Sequence, residues 1–207
     1  MSERYDKKHW YDGWFYAKFI DPWVIEVREA ICDFIEADSC VIDIGSGTGA
    51  LAFQLAEKCR YVAGIELSSE MVEFASKRKE QGGFLNVEFF HLNAARLSEI
   101  AKQRFDCAVI SLMLHEISAP DRIAVINEAK HIAEEIVIAD LNVPQPWGLR
   151  GIWNMAPELL AGADHFKNSV SFILNGGIEQ LLDGTVFKIE NEVVDRIEKY
   201  KVVRVSF

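Results

Sequence analysis

The sequence VIDIGSGTGA, residues 41–50, predicts a strand that runs into a glycine-rich turn and then into a helix. Three alternating glycines, Gly45, Gly47 and Gly49, are more than a tight turn needs. Such a turn lets a ligand approach the backbone closely, and the helix that follows presents unpaired N–H donors to it. We therefore predict that this segment is a ligand-binding turn.

The glycine spacing does not choose the ligand, because with Ala50 it also satisfies the GxGxxG/A pattern of dinucleotide-binding folds. Glu66 lies about twenty residues further on, where an acid accepts hydrogen bonds from ribose hydroxyls in either case. Asp43 discriminates between a dinucleotide and a sulfonium ligand. A carboxylate beside the turn repels a pyrophosphate, whereas it attracts a sulfonium ligand that also carries an ammonium group. An NAD(P)-dependent oxidoreductase stays an alternative, disfavoured by Asp43 and by the lack of a Tyr-x-x-x-Lys arrangement.

Apolar strand-like and amphipathic helix-like segments alternate on both sides of this turn. The pattern predicts an α/β fold of three αβα layers, doubly wound around a mostly parallel seven-stranded sheet with an antiparallel terminal strand. The expected strands are 40–44, 61–67, 87–92, 106–112 and 136–141, followed by an antiparallel pair, 185–194 and 200–207. The expected helices are 22–36, 50–58, 69–80, 97–102 and 120–131, followed by a helical region, 152–182.

Acidic residues outnumber basic ones, 32 to 22, which gives a net charge of −10. No segment concentrates enough positive charge to neutralise a phosphate backbone, so a nucleic-acid partner is not expected. No apolar stretch approaches the roughly 20 residues that span a membrane, and the first residues lack the pattern of a signal peptide, so we expect a cytoplasmic protein. The four cysteines form no CxxC pair, and no set of metal ligands is predicted.

Residues 41–50 resemble the first motif of class I S-adenosylmethionine-dependent methyltransferases, and three later segments extend the resemblance in order. They are GIELSSEM (64–71), FHLNAARL (90–97) and FDCAVISLMLHEI (105–117). The resemblance covers about residues 40–142 and is to the small-molecule group that includes methyltransferase type 11 and quinone-biosynthesis enzymes. It implies a Rossmann-like fold, S-adenosylmethionine as cofactor and S-adenosylhomocysteine as product.

The resemblance also implies which residues bind the cofactor, with Glu66 on the ribose and Leu67 and Met71 beside the adenine. The full set is Asp43, Gly45, Ser46, Gly47, Thr48, Gly49, Glu66, Leu67, Met71, Asn93, Ala94, Ser111 and Leu112. Asn93 stands where the family usually has Asp, so we expect its contact with the adenine amino group to be retained but weakened. Residues 129–135 lack the usual Lys-Pro-Gly-Gly stretch, so we expect a remodelled turn there.

Methyl transfer from a sulfonium needs few catalytic side chains, because it is an in-line displacement with a good leaving group. His115 and Glu116 follow the fourth strand and are the candidate general bases, with a packing role for His115 and a solvated one for Glu116 as the alternatives. Tyr16, Trp147 and Trp153 are predicted to cover the substrate, although core packing or a homodimer interface would use the same residue types.

The sequence thus predicts one domain, residues 1–207, acting as a methyltransferase on a small molecule. Its expected parts are an N-terminal helical cap (1–38), a cofactor-binding core (39–143), a helical substrate cover (144–183) and a terminal strand pair (184–207). We expect a monomer or a homodimer. A cofactor-binding protein without catalysis and a protein-directed methyltransferase remain alternatives.

Overall fold

The computed structural model of the chain describes residues 6, 13–19, 21–99, 104–183 and 186–207. In this part of the chain the strands form a seven-stranded sheet in the order β3-β2-β1-β4-β5-β7-β6. The strands are β1 (Cys40–Ile44), β2 (Tyr61–Glu66), β3 (Val87–His91), β4 (Phe105–Ser111), β5 (Ala133–Leu141), β6 (Lys188–Val194) and β7 (Tyr200–Ser206). The first five pair in parallel, whereas β7 is antiparallel to both β5 and β6. The predicted fold class is confirmed.

Helices cover both faces of the sheet. They are α1 (Trp14–Phe19), α2 (Ile25–Phe34), α3 (Ala50–Ala56), α4 (Ser69–Gly82), α5 (Ala119–Ile132), α6 (Leu149–Leu160), α7 (Ala163–Leu174) and α8 (Gly177–Leu182). Short 3-10 helices add Asp21–Val24, Ala94–Glu99 and Leu114–Glu116. Two helix starts have side-chain caps, since Ser68 caps α4 by accepting from the Met71 N–H, and Ser118 caps α5 by accepting from the Asp121 N–H.

Each face of the sheet has its own apolar core. Alternate residues of a strand point to opposite faces, so Ile42 and Ile44 of β1 pack against α5 and its neighbours, while Val41 packs with α2 and α3. Both clusters are made mostly of buried aliphatic side chains. The sheet is therefore a rigid support for the loops at its edge.

The strand order reverses between β1 and β4, because β2 and β3 lie on one side of β1 and the later strands lie on the other. In doubly wound sheets a ligand crevice opens at this reversal, beyond the carboxyl ends of the strands. The glycine turn after β1 and the 3-10 helix Leu114–Glu116 after β4 both lie at that edge.

Some predicted elements differ in detail from the structure. The helix predicted at 97–102 is a 3-10 helix, Ala94–Glu99, kinked where Arg96 leaves helical geometry, and residues 100–103 lie outside the described part. The helical region predicted at 152–182 consists of three helices, of which the first begins three residues earlier, at Leu149. The expected remodelling at 129–135 is a direct passage from α5 into β5.

Among the described residues, the helices are all too short or too polar to cross a lipid bilayer.

Candidate active site

A cavity of about 430 Å³ opens at the carboxyl edge of the sheet. Nine of the residues predicted to bind the cofactor line it: Gly45, Gly47, Glu66, Leu67, Met71, Asn93, Ala94, Ser111 and Leu112. They come from the segments after β1, β2, β3 and β4, which the parallel sheet brings to one edge. The cavity is large enough for a nucleoside-sized ligand.

The glycine turn provides a bare backbone on the floor of this cavity. Gly47 has a φ of +51°, and a methyl group added at its Cα position would meet no heavy atom of the described residues within 4 Å. The space beside Gly47 is therefore not filled by protein packing, which is the shape expected where a ligand approaches the main chain.

Glu66 is held at the end of β2 by backbone donors. Its Oε1 accepts from the N–H groups of Leu67 (2.7 Å) and Ser68 (2.8 Å), and its Oε2 accepts from the Gly47 N–H (3.0 Å). The carboxylate thus links the glycine turn to the loop after β2 and is fixed on the cavity wall.

Asp43 and Ser46 lie behind the cavity wall. Asp43 Oδ2 and Ser46 Oγ are buried and have no hydrogen-bond partner among the described residues. Burial and, to a smaller extent, the nearby negative charge of Glu66 raise the pKa of Asp43 to about 7. A buried carboxyl group and an unpaired hydroxyl beside a bare backbone turn fit a cationic, hydrogen-bonding ligand such as S-adenosylmethionine, whose positive charge would favour the ionised form of Asp43.

The buried Asp43 predicts a pH-dependent stability in the ligand-free chain. The folded state holds this proton more tightly than the unfolded chain does, so the stabilisation is complete below about pH 4 and is lost as the pH rises through about 7. Between pH 5 and 7 this single group lowers the free energy of unfolding by roughly 2 to 3 kcal/mol. Chemical denaturation at the two pH values should give a smaller drop for Asp43→Asn. The exposed control Asp33→Asn should lose as much unfolding free energy between pH 5 and 7 as the wild type does. The same loss in Asp43→Asn would contradict this account.

The remaining predicted turn residues also build the wall rather than line the cavity. Thr48 is buried and donates through Oγ1 to Asp21 Oδ2 (2.7 Å), which ties the turn to the 3-10 helix before α2. Gly49 begins α3 beneath the ring of Phe89, where an added Cβ would lie 2.6 Å from the ring. Thr48 and Gly49, like Asp43 and Ser46, therefore shape the turn from behind.

A second cavity of about 280 Å³ adjoins the first. Tyr16, Leu112 and Glu116 line both cavities and so mark their junction. The second cavity lies between the segment before β1 and the helices α6 and α7, and most of its wall is apolar. Its remaining polar groups are contributed mainly by His115, Glu158 and His165.

His115 is buried on one side of the second cavity. Its Nδ1 lies 2.7 Å from Asp140 Oδ1, and the other Asp140 oxygen accepts from the N–H groups of Leu114 (2.9 Å) and His115 (3.3 Å). Burial alone would lower the pKa of His115, but the charge and hydrogen bond of Asp140, together with Glu158, raise it to about 10.

The segment that carries His115 and Glu116 is anchored from below by Arg122. This fully buried side chain donates to the carbonyl oxygens of Leu114 and Asn168, both at 2.7 Å, and packs over the ring of Phe172. Asn168 in turn donates to the Glu116 carbonyl oxygen (2.8 Å). The two candidate bases are therefore held by hydrogen bonds to both β5 and α7.

Glu158 and His165 are functional candidates that sequence reasoning missed. Glu158 is buried in α6, with Oε2 at 2.8 Å from His165 Nε2 and 3.4 Å from His115 Nε2. Lys199 Nζ lies 3.1 Å from the other oxygen, Oε1. Burial would raise the pKa of Glu158, but these hydrogen bonds and the Lys199 charge hold it well below its usual range. Linear spacing could not reveal a cluster assembled from the 3-10 helix Leu114–Glu116, α6 and α7.

The predicted substrate cover is only partly correct. Tyr16 lines both cavities, but Trp147 and Trp153 are 96% and 75% exposed, outside the cavities formed by the described residues. Trp153 is exposed because α6 turns the polar side chains of Asn154 and Glu158 inward and most of its apolar side chains outward, and Trp147 lies before this helix begins. The inner wall is therefore lined by Pro157, Leu160 and Ala161 instead.

Residues 41–135 match the family model described as a methyltransferase domain. These residues form a methyltransferase domain. The matched range includes the glycine turn, Glu66, Asn93 and the His115–Glu116 pair, so the cofactor cavity lies within it. The match agrees with the predicted resemblance to class I S-adenosylmethionine-dependent methyltransferases over these residues, and the activity of the whole chain is a matter for proposal.

Curated relatives resemble the chain over part of its length. The demethylmenaquinone methyltransferase of Bacillus velezensis is 27% identical over 115 residues, which are 53% of this chain and 48% of that protein. An uncharacterized RNA methyltransferase of Mycoplasma mobile is 30% identical over 84 residues, 41% of this chain and 23% of that protein. The chain therefore spans less than half the length of either relative, and the two act on different classes of acceptor according to their names.

Solved structures share the fold over nearly the whole chain. The magnesium protoporphyrin IX methyltransferase of Synechocystis, solved with bound S-adenosylmethionine, has a TM-score of 0.63 and 16% identity, and the match covers 99% of this chain and 88% of that one. This likeness confirms the predicted Rossmann-like methyltransferase fold beyond the matched residues. The acceptor of the methyltransferase domain is a separate question.

Proposed function

We propose that the chain transfers a methyl group from S-adenosylmethionine to a small molecule. The observation that carries this proposal is the pair of adjoining cavities, one built by the methyltransferase motifs and the other enclosed by α1, α6 and α7. Their shared wall at Tyr16, Leu112 and Glu116 gives two ligands a common boundary. On this proposal the whole chain acts as one domain, in which residues 144–183 cover the acceptor.

The cofactor cavity offers a suitable group for each part of the cofactor. Glu66 would accept hydrogen bonds from the ribose hydroxyls. The adenine ring would lie between Leu67 and Met71, and Asn93 would accept a hydrogen bond from its amino group. The ionised form of Asp43, behind the turn, would favour a ligand with positive charges over a pyrophosphate. When bound, S-adenosylmethionine supplies an electrophilic methyl group on a positively charged sulfur.

The second cavity favours a small acceptor over a nucleic acid. Its volume of about 280 Å³ and largely apolar wall suit a compact organic molecule with a few polar atoms. The chain carries a net charge of −10, which disfavours binding to a phosphate backbone. We therefore favour a small molecule over the RNA named for one relative.

Glu116 is the better placed of the two candidate bases. It lines both cavities, whereas His115 lines only the second and has its Nδ1 occupied by Asp140. A proton acceptor must reach the nucleophile where it meets the methyl group, which is the boundary between the cavities. On this proposal, His115 contributes only to the wall of the acceptor cavity.

Blocking the acceptor cavity tests the proposed function. Ala161 lines this cavity and not the cofactor cavity, so Ala161→Phe should fill the acceptor space while leaving S-adenosylhomocysteine binding within about twofold of wild type. Methyl transfer from labelled S-adenosylmethionine to a pool of cell metabolites should fall at least 100-fold. Ala163→Phe, at an exposed position two residues further on, is the matched control and should retain activity.

The same assay distinguishes the acceptor classes. Label in the small-molecule fraction that is lost in Ala161→Phe supports the proposal, and a lower kcat for Glu116→Gln with unchanged cofactor affinity supports its role as base. Label that enters only RNA or only protein would contradict a small-molecule acceptor. Undiminished transfer by Ala161→Phe would contradict the assignment of the second cavity.

A further inference from the structure

The cluster of His115, Glu158 and His165 has the composition and geometry of a metal site. One possible ligand atom from each of the three residues lies within 4.8 Å of the other two, and the two imidazole rings have centroids 5.4 Å apart. Ligand atoms about 2.1 Å from a tetrahedral zinc ion lie roughly 3.4 Å from each other. The measured separations from Glu158 Oε2, 2.8 and 3.4 Å, need only small adjustments to admit an ion.

The surroundings of His115 are those of a metal-binding histidine. Its Nδ1 is engaged by Asp140 Oδ1 at 2.7 Å, so Nε2 is left directed towards Glu158 and His165. Asp140 is itself fixed, because its oxygens also accept from the backbone N–H groups of Leu114 and Leu141. A carboxylate that orients a histidine in this way is a common outer partner of protein-bound zinc.

The two carboxylate oxygens of Glu158 have different partners. Lys199 takes Oε1 at 3.1 Å, whereas Oε2 faces the two histidines. A carboxylate buried in a helix is costly unless its charge is compensated, and Lys199 together with a cation at Oε2 would compensate it from both sides. In the ligand-free structure the two histidines supply the contacts at Oε2.

The cluster opens onto the acceptor cavity. His115, Glu158 and His165 are all part of its wall, and Glu116 and Leu112 connect that wall to the cofactor cavity. An ion held by three protein ligands keeps at least one coordination position for another ligand, as catalytic zinc sites do. That position would face the acceptor cavity, whose wall is otherwise mostly apolar.

We propose that His115, Glu158 and His165 bind one divalent transition-metal ion of the zinc class, whose open coordination position faces the acceptor cavity. The two imidazoles and one carboxylate suit Zn²⁺ better than Mg²⁺ or Ca²⁺, which prefer oxygen ligands. The ion would select an acceptor that carries a hydroxyl or thiol, because it binds such groups and favours their deprotonated forms. Binding of the ion stands alone, whereas this selection of the acceptor rests on the proposed function.

The test measures metal binding by the full-length chain after removal of any purification tag. The metal-stripped protein is titrated with Zn²⁺ against a chromophoric chelator, and Co²⁺ is added to a second sample to report coordination number by its visible absorption. We expect one Zn²⁺ per chain and the intense absorption of four- or five-coordinate Co²⁺. His165→Ala should weaken Zn²⁺ binding at least 100-fold, and Glu158→Gln should weaken it at least tenfold.

The matched control is His131→Ala, which removes an exposed histidine on α5 and should leave Zn²⁺ affinity unchanged. Wild-type protein that binds Zn²⁺ no more tightly than His165→Ala, or that gives only the weak absorption of six-coordinate Co²⁺, would overturn the metal site and leave a hydrogen-bonded cluster. The Co²⁺ spectrum uses wild-type protein, so it decides the matter even where a variant misfolds.

Calorimetry with S-adenosylhomocysteine on the same samples separates this inference from the proposed function. A chain that binds the nucleoside and no Zn²⁺ contradicts the metal site alone. A chain that binds Zn²⁺ and no nucleoside contradicts the proposed function and with it the selection of the acceptor, but not the metal site.

Discussion

Gly47→Leu should abolish measurable binding of S-adenosylmethionine and S-adenosylhomocysteine, with a loss of at least 1,000-fold in affinity. Gly47 lies on the cavity floor, and an added Cβ meets open space rather than described protein atoms. The new side chain would therefore collide with the ligand and not with the protein core. The substitution should weaken binding because the space beside Gly47 is where we expect the ligand to lie.

A matched control separates this collision from backbone strain. Gly83 also has a positive φ, +68°, and open space around its Cα, but it ends α4 outside the set of residues that line the cofactor cavity. A leucine in the left-handed region costs roughly 1 to 2 kcal/mol at either position. Isothermal titration should show lost binding only for Gly47→Leu. Equal binding by Gly47→Leu and Gly83→Leu would show that the ligand does not pass over this turn.

Glu66→Ala should weaken cofactor binding about 100-fold or more. Two hydrogen bonds from ribose hydroxyls to a carboxylate are each worth about 1.5 to 3 kcal/mol, and 1.4 kcal/mol corresponds to a factor of ten. The substitution also removes the acceptor for the N–H groups of Gly47, Leu67 and Ser68, which loosens the cavity wall. Both effects act in the same direction.

Glu66→Gln and Glu88→Gln complete this test. Glu66→Gln keeps one acceptor oxygen and the side-chain shape, so we expect an intermediate loss of roughly tenfold. Glu88 on β3 accepts from the exposed Tyr61 hydroxyl, away from the cofactor cavity, so Glu88→Gln should bind as wild type does. Wild-type affinity in Glu66→Ala, measured by the same calorimetry, would remove the ribose contact from the account.

The cofactor half of the site could be predicted because its residues follow consecutive strands. The carboxyl ends of parallel strands meet at one edge of the sheet, so local motifs at 41–50, 64–71, 90–97 and 105–117 predict a common cavity without knowledge of distant contacts. Asp43 is the instructive exception. The sequence placed this carboxylate beside the ligand, whereas the structure buries it behind the turn, where it acts through charge.

The acceptor half could not be predicted in the same way, because it depends on how α6 and α7 are oriented over the sheet. Trp147 and Trp153 looked like cavity walls by residue type, but α6 turns Glu158 inward and exposes Trp153, and Trp147 is exposed ahead of that helix. A single glutamate in an otherwise mostly apolar helical segment was the signal available in the sequence, since an ionisable residue that becomes buried there needs partners. Those partners, His115 and His165, are found only once the chain has folded.

The most direct test of the central claim is calorimetric titration of the wild-type chain with S-adenosylhomocysteine and, separately, with NAD. The glycine turn, Glu66 and the anionic Asp43 predict one site with micromolar affinity for the sulfur nucleoside and no detectable binding of NAD. Tight binding of NAD with no response to S-adenosylmethionine or S-adenosylhomocysteine would contradict the account.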